Sequence, residues 1–176
     1  MNDHFTLLGV PRQYALDPRE LEQAYLRCSR AVHPDYHTTT SPAEQAASLE
    51  LCAALNTAYA TLRDPFRRAE YLLTLYGGPS AEEHRQMPPE FLAEMLECRE
   101  QLEEAHHDPQ ALAGWEADFQ RRLDQLCAQL AVQFAELEKI SVDDPRHLDI
   151  RRRIRMLLNA ARYIQGLLRD LHAPNY

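Results

Sequence analysis

From Leu112 to Leu137 an apolar stripe runs through Leu112, Trp115, Phe119, Leu123, Leu126, Leu130, Phe134 and Leu137, and a second runs from Ile150 through Ile154, Leu157, Ala161, Ile164, Leu168 and Leu171. Steps of three and four residues put each set on one side of an α-helix and on no single face of a strand. Asp108-Pro109 and Asp144-Pro145 stand ahead of the two runs, each pairing a capping carboxylate with a proline suited to a first helical turn. A third segment opens at Pro88 or Pro89 and reaches about His106, with Phe91, Met95, Cys98, Leu102 and Ala105 on a common face. A helix with one apolar seam needs partners to cover it, so residues 88–176 are predicted to form an antiparallel three-helix bundle. Only 5 glycines interrupt the chain and no run of alternating β-branched residues appears, so the whole protein is expected to be all-α.

Gly77-Gly78-Pro79 marks a boundary, giving a first domain over 1–76, a linker over 77–87 and the bundle over 88–176. In the first domain Asp17 is a candidate N-cap and Pro18 a first helical residue, and no breaker follows before Pro34. Leu21, Ala24, Tyr25, Cys28 and Val32 share one face of that helix; Arg19, Gln23, Arg27 and Arg30 share the other. Pro34 disfavours helical dihedrals at His33 and lacks an amide hydrogen, so the helix ends there and Asp35 is expected in a turn. A second helix then starts with Thr40 or Ser41 as cap, Pro42 just inside and Glu44 in its first turn, its stripe being Leu51, Cys52, Leu55, Ala58, Tyr59 and Leu62. Two such helices across a short polar loop are predicted to pack antiparallel.

These residues resemble the J-domain family, the co-chaperones of DnaK-type ATPases. Phe5-Thr6-Leu7-Leu8-Gly9-Val10 looks like the family's short first helix, His33-Pro34-Asp35 is its signature tripeptide, and Asn56 to Pro65 looks like the end of its third helix. The resemblance implies that His33, Pro34 and Asp35, with Arg19, Arg27 and Arg30 of the preceding helix, dock on the chaperone and stimulate ATP hydrolysis. Tyr36 stands where the family usually has a basic residue.

Charge divides unevenly: residues 1–75 hold 7 basic and 9 acidic side chains and residues 76–176 hold 12 and 18, which together give the net −8. Eight glutamates fall between residues 81 and 104 against Arg85 and Arg99. Leu92 and Leu96 lie off the apolar seam of the same segment, on an arc shared with Ala93, Glu97, Glu100 and Glu104, and leucines edged by carboxylates form a candidate docking surface. Met156 lies off the seam of the last helix and is a candidate extension of it. Arg67 to Leu73 and Glu90 to Glu100 narrow the resemblance to HscB-type co-chaperones of iron–sulfur cluster assembly. It implies that the bundle binds a scaffold protein of the IscU type through Leu92, Ala93, Leu96, Glu97, Glu100, Glu104 and Met156 and presents it to a chaperone of the HscA type. Ala93 and Met156 stand where the family often has larger or aromatic side chains.

Other functions fit poorly. Pro34 separates His33 from His37, His106-His107 falls at an expected helix end, and no Cys-x-x-Cys pair or glycine-rich phosphate loop occurs, so neither a metal, a cofactor nor an enzymatic site is expected. Arg151-Arg152-Arg153 and Arg155 lie in a net-acidic half and are expected to face solvent or pair with acids, not to hold nucleic acid. With no apolar stretch near about 18 residues and no signal-like start, the chain is expected to be soluble and cytoplasmic and to have no membrane partner. Cys28, Cys52, Cys98 and Cys127 are far apart, and the first two lie on apolar faces. The remaining alternative is a generic J-protein that recruits a DnaK-type chaperone to unfolded clients; the chain lacks the glycine/phenylalanine-rich linker and cysteine-rich module of that type.

Overall fold

The computed structural model describes residues 3–32, 41–104 and 108–171, and among these every regular element is an α-helix. In order they are α1 (His4–Leu8), α2 (Pro18–Val32), α3 (Pro42–Arg63), α4 (Pro65–Leu75), α5 (Pro89–Glu104), α6 (Pro109–Leu137) and α7 (Arg146–Leu171). None of the described helices is long and apolar enough to cross a membrane. Chain packing separates the protein into two units that divide between Leu72 and Leu73.

The helix starts follow the cap chemistry in the sequence. Asp17 accepts from the backbone amides of Arg19 (2.7 Å) and Glu20 (3.2 Å) at the start of α2. Ser41 and Glu44 form a reciprocal capping box at α3, and Asp108 accepts from Gln110 N (2.9 Å) at α6. Asp144 accepts from Arg146 N (2.9 Å) and binds the Arg146 guanidinium, which holds its carboxyl down at about 2. These bonds satisfy first-turn amides that have no partner inside the helix.

In the first unit, α2 and α3 run antiparallel: Tyr25 pairs with Asn56 and Tyr59, while Val32, farther along α2, meets Ser48, nearer the start of α3. Phe5 and Leu8 of α1, Leu21 and Ala24 of α2, and Leu55, Ala58 and Leu62 of α3 are fully buried and make the core. Leu51, predicted in the α3 stripe, is instead substantially exposed: Val32 at the end of α2 meets Ser48 and Cys52, so α2 covers the neighbouring arc of α3 and leaves Leu51 outside it. Tyr71 of α4 accepts from His4 N (3.0 Å) and stacks on the His4 ring.

In the second unit α6 and α7 pack as the principal pair, and α5 joins them through Met95 and Cys98. Phe119, Leu123, Leu126, Leu130, Phe134 and Leu137 of α6 are buried as the periodicity predicts, whereas Leu112 and Trp115 near its start are only partly covered. On α7 the buried leucines are Leu158 and Leu167, not the predicted Leu157 and Leu168. Adjacent leucines lie only 100° apart, and the mutual rotation of the packed helices decides which faces inward.

Residues 76–87 run along α7 as a strap. Gly77 adopts φ +66°, the left-handed region where a side chain is strained; its amide bonds Thr74 O (3.0 Å) and that of Gly78 bonds Leu73 O (2.9 Å), which ends α4. Beneath it His147 is 1% exposed, its ring edge-on to Tyr76, and neither ring nitrogen has a hydrogen-bond partner. Burial, reinforced by the Arg151 charge and opposed by Asp144, pushes the His147 imidazole below its ordinary pKa of 6.5. The unfolded chain therefore binds the proton more readily than the native one. The contribution of a neutral His147 to stability is full well above pH ~6.5 and is lost as pH drops through 6.5 toward the lower native value. Urea midpoints measured at about pH 7.5 and about pH 5.5 are expected to differ less in His147→Phe than in the parent; an unchanged difference would assign the acid sensitivity to other groups.

Candidate functional site

Two exposed surfaces stand out, one on each unit. On the first, Leu21 and Ala24 anchor α2, and a side-chain stack fixes its rotation. The Tyr25 ring lies on the Tyr59 ring at 4.4 Å and 13°, Tyr25 Oη donates to Asn56 Oδ1 at 2.7 Å, and the Arg63 guanidinium sits 5.8 Å over Tyr59. Arg19, Arg27 and Arg30 are thereby turned to solvent on the opposite side, as the sequence predicts. His33, Pro34, Asp35 and Tyr36 lie outside the described residues, as do His37, His106 and His107. The elements that bracket the tripeptide are described: α2 ends at Val32, whose carbonyl accepts the Ser48 hydroxyl, and α3 begins one residue after its Ser41 cap. Such a surface presents exposed cations on one face of a helix, suited to an acidic partner face.

On the second unit α5 is two-sided. Met95 and Cys98 are buried, and Phe91 meets Tyr163 of α7 edge-on at 6.1 Å. The opposite side carries Leu92 at 44% and Leu96 at 62% exposure, with Ala93, Glu97 and Glu100 also exposed. Glu104 is the last residue of α5, and its side chain lies outside the described set. The helix is held in this rotation by Arg122 of α6, which donates to Glu94 Oε2 at 2.7 Å and to Asp118 Oδ2 at 2.7 Å. Glu94 is thus engaged within the bundle. Glu97 borders a cleft between α5 and α6 near Trp115 and Arg121. Met156 is half-buried on α7 and lines an apolar groove of about 390 Å³ with Val132, Leu157 and Pro88. Pro88 accepts from Leu92 N (3.4 Å), so the groove's wall lies one turn before the exposed leucines.

Of the arginines at 151, 152, 153 and 155, Arg152 and Arg153 are exposed as expected, whereas the other two depart from that role. Arg152 lies 3.9 Å from Asp149 on an exposed face. Arg151 and the buried Arg155 turn inward and hydrogen-bond the strap, with Asn159 continuing the row. A spacing of four, His147-Arg151-Arg155-Asn159, was the available signal, since it places four polar groups on one stripe of a helix. All four cysteines are free, Cys98 being buried, and burial pushes its thiol pKa up. Among the described residues no three His, Cys, Asp or Glu side chains gather as a metal site.

Two family models match: the DnaJ domain over residues 3–71 and the HSCB C-terminal oligomerisation domain over residues 87–172. The co-chaperone protein HscB homolog of Bordetella pertussis strain Tohama I is 40% identical over 133 residues, 73% of this chain and 78% of that protein. That of Bordetella avium strain 197N is 37% identical over 131 residues, 74% of this chain and 78% of the relative. Among solved structures, chaperone HscB from Vibrio cholerae superposes with a TM-score of 0.75 at 29% identity, covering 97% of this chain and 96% of that one. Human co-chaperone protein HscB gives a TM-score of 0.80 at 25% identity, over 98% of this chain and 81% of its own.

Proposed function

We propose, from the premise that the chain belongs to the HscB family of co-chaperones, that it presents an iron–sulfur scaffold protein of the IscU type to a DnaK-like ATPase of the HscA type and stimulates that ATPase. The observation that carries this reading is the two-sided α5: the helix builds the bundle core with one face and leaves Leu92 and Leu96 uncovered between carboxylates on the other. Apolar anchors with a charged rim match the anatomy of a specific protein interface. On the first unit, His33, Pro34 and Asp35 with the exposed Arg19, Arg27 and Arg30 are the chaperone contacts. The bundle contacts are Leu92, Ala93, Leu96, Glu97, Glu100, Glu104 and Met156.

The chemistry belongs to the ATPase, and the co-chaperone acts through differential binding. A protein that binds the hydrolysis-competent state of the chaperone more tightly than its other states shifts the chaperone toward it. One that holds the scaffold at the same time couples scaffold capture to hydrolysis, with a coupling free energy that either partner feels equally. The acidic rim on α5 serves orientation and encounter rate more than affinity.

Steady-state ATP turnover by the HscA-type chaperone, measured with the co-chaperone and the scaffold added separately and together, tests the reading. Turnover with both should exceed the product of the two separate stimulations. Stimulation that ignores the folded scaffold but rises with denatured proteins would identify a generic J-protein instead.

A further inference from the structure

Between α5 and α6 the bundle leaves an open cleft of about 560 Å³. Glu94, Glu97 and Gln101 of α5 and Gly114, Trp115 and Asp118 of α6 line it, each set falling on one side of its helix. Gly114 contributes a wall without a side chain. Glycine is a poor residue inside a helix, and packing does not call for it here, since a Cβ at Gly114 would meet nothing within 4 Å. Its effect is to keep the cleft open. Trp115, the only tryptophan of the chain, is half-buried against Phe119, with ring centroids 5.7 Å apart. An indole face is the aromatic surface that attracts a cation most strongly. The carboxylates at the cleft are not equivalent. Arg122 bonds Glu94 and Asp118 (2.7 Å each), and Arg121 also bonds Asp118, so both acids are engaged within the bundle. Glu97 is exposed at the same cleft and takes no part in that network.

We propose that the α5–α6 cleft receives a lysine or arginine side chain of the scaffold, its stem lying across Gly114 and Trp115 and its cation meeting Glu97. The inference rests on the proposed function and adds α6 to the scaffold contact. Charge complementarity selects the occupant. An acidic side chain would be repelled by Glu97, and a purely apolar one would take Glu97 from water without giving it a partner. A long basic side chain meets both demands, with an apolar stem for the indole and a charge for the carboxylate. Glu97 also belongs to the α5 arc of Leu92 and Leu96, so a scaffold seated on that arc reaches the mouth of the cleft.

Because Trp115 is the only tryptophan, a fluorotryptophan label gives the co-chaperone a single fluorine NMR signal, which should shift when unlabelled IscU-type scaffold is added. Gly114→Leu fills the cleft and supplies a better helix former, so its thermal midpoint should not fall below the parent's. Its affinity for the scaffold should drop about tenfold. Glu97→Gln should cost about fivefold in the parent but less than about twofold in Gly114→Leu, where the cation has already been shut out. The inference is overturned if the scaffold binds and the Trp115 signal stays in place, if Gly114→Leu binds as the parent does, or if Glu97→Gln costs the same in both backgrounds. A parent protein that binds no scaffold would instead refute the scaffold reading, and the cleft contact with it.

Discussion

Replacing Leu92 and Leu96 together by alanine is expected to weaken binding of the IscU-type scaffold about a hundredfold, because central apolar anchors contribute roughly 1–2 kcal/mol each and 1.4 kcal/mol is a factor of ten. The folded protein should be indifferent to the change. Both side chains already face solvent on α5, and alanine is at least as good a helix former as leucine, so thermal stability should move by less than about 0.5 kcal/mol. Leu49→Ala supplies the control for Leu96→Ala: Leu49 is 60% exposed on α3 against 62% for Leu96, so a matching loss of exposed leucine surface in the other unit should leave scaffold binding unchanged. Glu100→Gln should act differently, slowing association and reducing its salt dependence with a smaller effect on dissociation. Isothermal titration and stopped-flow binding separate these outcomes. A double leucine variant that binds as the parent does would remove α5 from the interface.

The parts of this protein that could be read from sequence are those governed by local chemistry. Asp17-Pro18, Ser41-Pro42-Glu44 and Asp108-Pro109 announce helix starts because the cap and the proline act within one turn, and α2, α3 and α6 begin at those prolines. Leu92 and Leu96 could be recognised as exposed because Met95 and Cys98 already define the inward face of the same helix. What failed depends on partners. The preference for Leu158 over Leu157 and for Leu167 over Leu168 is set by how α7 rolls against α6, which a period of 3.6 does not specify. Leu51 looked like core because nothing in its own helix says which arc the facing helix covers, and that arc runs through Ser48 and Cys52. Arg151 and Arg155 looked like a solvated basic face because their acceptors are backbone carbonyls some 75 residues earlier, and a carbonyl leaves no mark in an amino-acid sequence.

Asp35→Asn is expected to remove stimulation of the chaperone ATPase while leaving scaffold binding as it is. Asparagine matches aspartate in size and serves as well in a turn, so the substitution subtracts a negative charge and little else. A carboxylate that meets a cationic group of the chaperone in a desolvated contact loses about 2–5 kcal/mol when neutralised, roughly a thirtyfold or larger drop in stimulation at a fixed co-chaperone concentration. Arg27→Ala and Arg30→Ala should cost less each, because their side chains stand on the open face of α2, and their contribution should fade as salt is raised. The double leucine variant is the mirror case, keeping stimulation by the co-chaperone alone and losing the scaffold-dependent increment. Mixed in equal amounts, the two variants should not restore that increment, since joint engagement requires both surfaces on one chain. Full recovery in the mixture would mean that the surfaces act from separate molecules, and the covalent order of J-domain, strap and bundle would then have no mechanical role.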